Sequence, residues 1–388
     1  MQNISDSGWK PLAGVRIADF SLLLPGPVAT LILADLGAEV IKVEPQAGDP
    51  ARGMKSAMFA GANRNKSSLA LDLKSPDAGA VVERLAEWAD VAIEGFRPGV
   101  ADRLGIGAAR LQAIKPALVF CSLSGFGQTG PMSGKPGHDL AYLAMGGGVA
   151  HRGQLRQAPS RASLPMADIA GAAFAAIAIL AALHERREGR KAAAIDLSLY
   201  ESVLYCSAIR FGFSTPASAV SHLYPANDLF ECADGERIAL TIVEPKFWEA
   251  LLTAAGEIEP RLRAPEYATE EGRLANAGAL MALLDTMLAA RDAADWITLF
   301  DEHDVPAEIC VTPQEAIRSD HARARALHLG EGEAAMLPFP VLADGVAPSR
   351  DSRPAPDLGA DGARLLAGIG CSEAEIAALF ESGAVLAR

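Results

Sequence analysis

Two side chains able to move protons stand thirty residues apart: His138, in Gly137-His138-Asp139, and Asp168, in Leu164-Pro165-Met166-Ala167-Asp168. The aspartate opens a run of apolar and small residues from Ile169 to Leu183. A carboxylate at the start of an apolar helix is favoured as the anion by the helix dipole, yet it lies beside surface that excludes water. A histidine after glycine in a Pro/Gly-rich loop is expected at an exposed mouth rather than packed in a core. One imidazole and one carboxylate of this kind suit general acid and base chemistry. Glu244, in Val243-Glu244-Pro245-Lys246-Phe247-Trp248, places a third acid at a strand-to-helix junction. Each has an ordinary alternative, because acids at helix starts serve as caps and isolated histidines are more often structural.

Cations gather in three loops: Arg64 and Lys66 in Asn63-Arg64-Asn65-Lys66-Ser67, Arg97 and Arg103 in the stretch Gly95 to Arg103, and Lys135. In a chain of net charge −13, cations in loops after strands suit a phosphorylated ligand, with a solvated surface as the alternative. The same net charge argues against a nucleic-acid surface, which needs clustered cations. Half of the 388 residues are apolar, which excludes disorder. The five cysteines are scattered and show no CxxC spacing, so they read as reduced thiols, mostly in the core. There is no HExxH and no close His/Cys cluster, so no metal is expected. Gly125-Phe126-Gly127-Gln128-Thr129-Gly130 spells GxGxxG after a strand, but Pro131, Gly134 and Pro136 follow where a dinucleotide site needs a helix. A nicotinamide oxidoreductase therefore remains a remote alternative.

The elements that must position these groups alternate. Strands are predicted at Val15 to Phe20, Glu39 to Glu44, Ser68 to Leu73, Asp90 to Glu94, Ala117 to Leu123 and Ala192 to Leu197. Pro25-Gly26-Pro27 reads as a turn before a helix over Val28 to Leu36; further helices are expected up to Trp88 and over Ile169 to Leu183, closed by Glu185 to Gly189. This pattern implies an α/β fold with a doubly wound parallel sheet. A smaller α+β unit follows, with a strand over Arg237 to Val243, a helix over Lys246 to Ala255 and an apolar piece at Glu308 to Val311. The expected division is a large domain over 1–209, a linker over 210–228, a small domain over 229–336, a proline-rich linker over 337–358 and a closing segment over 359–388. The last begins a helix at Ser372-Glu373-Ala374-Glu375. The run Ile169 to Leu183 falls short of the ~20 residues of a membrane span. The amino terminus lacks a basic start followed by an apolar stretch, and Leu386-Ala387-Arg388 is no retention signal, so a soluble cytoplasmic protein is expected.

Several strings together resemble one family: Pro11-Leu-Ala-Gly-Val-Arg-Ile-Ala-Asp-Phe20, Ala34-Asp-Leu-Gly-Ala-Glu-Val-Ile-Lys-Val-Glu44, Asn65-Lys66, Glu94-Gly-Phe-Arg-Pro-Gly99, Ser124 to Pro131 and Gly137-His138-Asp139. The chain is similar nearly end to end to the family III CoA-transferases, which include formyl-CoA and carnitine CoA-transferases and the alpha-methylacyl-CoA racemases. The resemblance implies a Rossmann-like large domain completed by the C-terminal segment and a ring-shaped chain interlocked with a second copy as a homodimer. It implies CoA as part of the substrate, no redox or metal cofactor, and Asp168 at the catalytic position. His138-Asp-Leu-Ala-Tyr142-Leu143 and the Glu244 segment resemble the racemase branch, where the glutamate supports the histidine. Arg64, Lys66, Arg97, Arg103 and Lys135 would supply charge to the nucleotide end. Pro45, Ser67 and the stretch Leu223 to Asp228 depart from the family's usual residues.

Two reactions fit these residues. In a racemase, one of His138 and Asp168 removes the proton at C2 of a 2-methylacyl-CoA and the other reprotonates the opposite face. Backbone amides near Gly146-Gly147-Gly148, or at the helix start of Asp168, would hold the enolate oxygen. In a CoA-transferase, Asp168 attacks the thioester carbonyl and CoA passes through an aspartyl thioester to a second carboxylate.

Overall fold

In the computed structural model, residues 8–55, 57–186, 191–325, 337–348 and 352–386 are described. Arg187, Glu188 and Gly189, expected to close a helix, and residues 326–336, assigned to the small domain, lie outside them. The chain divides into two compact units, one of Met1–Gly148, Ala162–Gly212 and Asp320–Arg388, the other of Val149–Arg161 and Phe213–Ser319. One boundary between them falls at Gly212 and Phe213, within the stretch 210–228. Residues 149–161 group with the second unit, and residues 320–325 and 337–348 group with the first.

The first unit is built on six strands: β1 (Arg16–Asp19), β2 (Glu39–Glu44), β3 (Ser67–Ala70), β4 (Val91–Glu94), β5 (Val119–Ser124) and β6 (Ala194–Ser198). They form one parallel sheet in the order β3-β2-β1-β4-β5-β6. Every residue of β3, β4 and β5 is buried, as expected of parallel strands covered on both faces. The helices are α1 (Pro25–Asp35), α2 (Met58–Asn63), α3 (Ala78–Trp88), α4 (Val100–Arg103), α5 (Ala108–Ile114), α6 (Asp139–Met145), α7 (Met166–Glu185) and α8 (Leu199–Phe211). The sequence places the strands to within a few residues. It misplaces the start of α1, because Pro25 occupies the first helical turn, where its missing N–H is no loss.

Leu69, Leu71, Val82, Leu85 and Phe120 pack with Leu365, Leu366 and Leu379 of the two C-terminal helices Gly362–Gly368 and Glu373–Glu381. The second of these starts with the expected capping box, Ser372 with Glu375. At 20 residues, α7 is long and apolar enough to cross a membrane, contrary to the shorter run read from sequence. Its buried residues include Gly171, Ala172, Ala175, Ala176 and Ile179, and it packs against α1 and α8. The contact with α8 is close there, since a Cβ on Gly171 would meet Leu199 Cδ2 at 2.2 Å and oblige that side chain to move.

The second unit has an antiparallel sheet of β7 (Asn227–Glu231), β8 (Arg237–Thr241) and β9 (Ala307–Ile309). Helices α9 (Pro245–Ala255), α10 (Glu270–Ala275), α11 (Ala277–Leu288) and α12 (Ala293–Glu302) accompany it. Its core includes Phe230, Trp248, Leu284, Trp296 and Phe300.

Candidate active site

In the first unit β1 has β2 on one side and β4 on the other, and the chain's direction of travel across the sheet reverses there. A crevice opens at such a point outside the carboxyl ends of the strands. A cavity of about 440 Å³ lies there, lined by Leu22, Leu23, Pro25 and Gly26 after β1, Gly95, Phe96 and Arg97 after β4, and Leu123, Ser124 and Gly125 at the end of β5. Lys135, His138, Tyr142 and Asp168 complete its chemically active wall.

His138 is the residue before α6 and is exposed. Asp168 is the third residue of α7 and half-buried. The two helix starts are tied by Asp139, buried at the first position of α6, whose Oδ1 accepts the N–H groups of Ala167 (2.8 Å) and Asp168 (3.3 Å). Asp139 thus caps a helix that is distant in sequence, and the residue beside the histidine fixes the backbone beneath the aspartate. Burial, and after it the negative charge of Asp139, pushes the Asp168 carboxyl up from 3.8 to about 7. The Tyr142 hydroxyl is pushed up to about 12 by burial and by Asp168, against a smaller opposing effect of Arg97.

Because Asp168 holds its proton more tightly when folded, that proton stabilises the fold below pH 4, and the contribution is lost as pH rises through about 7. Asp168→Asn removes this titration. Its melting temperature is expected to match the unsubstituted protein near pH 4 and to exceed it by roughly 2–5 °C at pH 8. A difference that does not grow with pH would contradict the raised pKa.

The GxGxxG string has a packing explanation. A Cβ on Gly125 or Gly137 would meet the Tyr142 ring at 2.5 Å and 2.7 Å, so both glycines make room for that ring. Gly127 and Gly130 take φ of +81° and +88°, and the next helix begins only at Asp139.

The five expected cations separate. Arg97 and Lys135 are exposed and line the cavity; Arg103 is exposed at the end of α4 and outside the lining. Arg64 and Lys66 are buried and engaged with side chains and carbonyls of the fold, away from the cavity lining. Arg64 pairs with Asp35 and donates to the Leu337 carbonyl at 2.6 Å. The Lys66 ammonium bonds Asp19 (3.1 Å), the Pro27 carbonyl (2.8 Å) and Asn63 Oδ1 (2.9 Å). Burial pulls it down to about 8 despite Asp19.

Glu244 belongs to the second unit and is exposed immediately before α9. The amides proposed for an enolate are engaged: Gly146 and Gly148 donate to the carbonyls of Tyr142 and Leu143, and Ala167 and Asp168 to Asp139. Of the departures, Pro45 lines a second cavity of about 140 Å³ with Phe20, Leu71, Leu73, Lys74 and Leu104. Leu22 and Phe96 border both cavities. Ser67 is buried and accepts from Arg364 at 3.0 Å. Among the described residues no three His, Cys, Asp or Glu side chains are grouped to hold a metal ion. The five cysteines are free thiols, with Cys121, Cys232 and Cys371 buried and Cys206 and Cys310 exposed.

Residues 12–362 match the pattern described as CoA-transferase family III. The chain is 35% identical over 347 residues to the succinyl-CoA–D-citramalate CoA-transferase of Chloroflexus aurantiacus, covering 83% of each chain. It is 30% identical to the alpha-methylacyl-CoA racemase of Homo sapiens, covering 85% of each. In three dimensions it resembles a CaiB/BaiF family protein from Brucella suis, with a TM-score of 0.80 and 27% identity over 93% of this chain and 99% of that one.

Proposed function

The chain belongs to CoA-transferase family III, whose relatives include both racemases and CoA-transferases, and from that membership we propose that it inverts C2 of a 2-methylacyl-CoA. The observation that carries the proposal is that His138 and Asp168 line one cavity, where burial and Asp139 push the Asp168 carboxyl up to about 7. A carboxyl group in that range is available both as acid and as base at neutral pH. One of the pair takes the α-proton, the C–H electrons pass to the thioester carbonyl as an enolate, and the other returns a proton to the opposite face. One group starts unprotonated and the other protonated, and at the end of the inversion the two have exchanged protonation states, ready for the reverse direction.

Arg97 and Lys135 are the cations offered to the anionic end of CoA. The apolar cavity beside Pro45 and Leu73 suits the flat face of a nucleobase, with Lys74 at its wall. Titration with CoA thioesters tests this part of the proposal. Arg97→Ala with Lys135→Ala is expected to weaken binding at least tenfold and to flatten its dependence on salt, as loss of charge-assisted contacts should. Unchanged affinity and unchanged salt response would contradict the placement.

The alternative reaction, CoA transfer with Asp168 as nucleophile, draws support from the citramalate CoA-transferase among the relatives. What favours inversion over it is the presence of a second proton-transfer group, His138, in the wall of the same cavity, which the covalent route does not require as a base.

A homodimer is proposed on a further ground. Tyr205 (62% exposed) and Ile209 (72%) lie four residues apart on one face of α8, beside the exposed Ile177 (60%) of α7. Phe174 and Tyr205 join the two helices edge to face at 5.6 Å. Contiguous apolar surface of this kind marks an interface. Light scattering is expected to give twice the chain mass, undiminished on dilution; a monomer would contradict the dimer.

A further inference from the structure

Leu23 stands at φ +66°, in the left-handed region that bulky side chains avoid. It lines the cavity that holds Asp168 and His138. Two buried charges hold it there. The Asp49 carboxylate accepts the Leu23 N–H through both oxygens, at 3.0 Å and 3.1 Å. Lys42, on β2, donates to the Ser21 carbonyl at 3.0 Å and pairs with Asp49 at 2.9 Å, with both side chains fully buried. The two ends of the turn are therefore gripped by the two halves of one ion pair.

The surroundings hold that pair in turn. Glu44 accepts the Asp49 N–H at 3.1 Å and is itself bonded by Arg52 (2.8 Å and 2.7 Å) and Ser68 (2.7 Å). Ser21 N–H and Oγ both donate to Asp19 (3.0 Å and 2.5 Å). Gly26 closes the turn from the other side, since a Cβ there would meet Ser21 Cβ at 2.2 Å. A single cap would suffice to end a strand. So many buried bonds on a three-residue turn over-determine a backbone that is otherwise unfavourable, and strain of this kind persists where the position of the side chain matters.

We infer that the Lys42–Asp49 pair is a positioning clamp that forces Leu23 into the left-handed turn, and that Leu23 is the specificity-determining apolar wall against which the hydrocarbon part of a CoA thioester is seated. The inference rests on the acyl-CoA reading for its kinetic test and stands apart from it in its conformational one. Asp49 and Lys42 touch no reacting atom and act through Leu23.

The test combines Leu23→Gly, Leu23→Ala and Asp49→Asn. Glycine takes φ +66° freely and alanine does not, so Leu23→Gly is expected to melt above Leu23→Ala. Equal melting temperatures would overturn the clamp whatever reaction the protein performs. With a 2-methylacyl-CoA, both Leu23 variants are expected to lose about tenfold in kcat/KM, chiefly through KM, as a misplaced binding wall should. Asp49→Asn is expected to lose a similar factor when Leu23 is present and less than about twofold in the Leu23→Gly background, because the two act as a unit. Equal losses in both backgrounds, or full activity of Leu23→Gly, would overturn the inference. No turnover and no CoA-thioester binding by the unsubstituted protein would instead refute the functional reading.

Discussion

Asp168→Asn is expected to lower turnover of any acyl-CoA substrate by roughly 10²–10⁴, the range that a positioned acid or base contributes. The loss should fall on kcat, because the amide keeps the shape and hydrogen-bonding surface of the side chain but cannot gain or release a proton in this range. Folding is not at issue, since the same substitution is expected to raise the melting temperature at pH 8. Loss of activity together with a gain in stability is the signature of a group held at an unfavourable ionisation for chemical use. The cause is local: burial, then the Asp139 carboxylate that caps the same helix turn. Asp139→Asn should accordingly shift the acidic limb of the rate profile downward. Turnover of Asp168→Asn within tenfold of the unsubstituted protein would contradict a catalytic role.

His138→Ala separates the two reactions that Asp168 could serve. In a racemase the faces of C2 are served by different groups, so losing His138 should abolish inversion, again by roughly 10²–10⁴. Asp168 should still exchange the proton on its own face with solvent. In a transferase, where Asp168 alone forms the covalent intermediate, the same variant should retain much of the transfer of CoA to an added carboxylate. The expected result is loss of inversion with residual one-sided exchange. Transfer surviving in His138→Ala and abolished in Asp168→Asn would favour the covalent route.

The sheet is legible in sequence because parallel strands buried on both faces read as short apolar runs between turns, as in Val91–Glu94 and Val119–Ser124. Other elements are harder to see. α6 has seven residues behind a Pro/Gly-rich loop, too few for periodicity to show. α8 does carry a signal, Ser198 three residues before Glu201, and Ser198 accepts the Glu201 N–H. Of the site, His138 and Asp168 are readable as residue types at suggestive places, and the structure brings both to one cavity. Charge without its partner is not readable in the same way. The partners of Arg64 and Lys66, Asp35 and Asp19, stand 29 and 47 residues away and give no sign in the local sequence. Asp139 is hidden for the same reason, as its bonds reach Ala167 and Asp168 across 28 and 29 residues.

The central claim is proton transfer at C2 by two groups in one cavity. Its most direct test is incubation of the protein with a (2R)-2-methylacyl-CoA in deuterated water, with and without an added free carboxylate. The expected result is deuterium at C2 together with the 2S epimer, at a rate indifferent to the carboxylate. Absence of deuterium at C2, with CoA appearing on the carboxylate and hydroxylamine trapping an aspartyl-CoA thioester at Asp168, would contradict it.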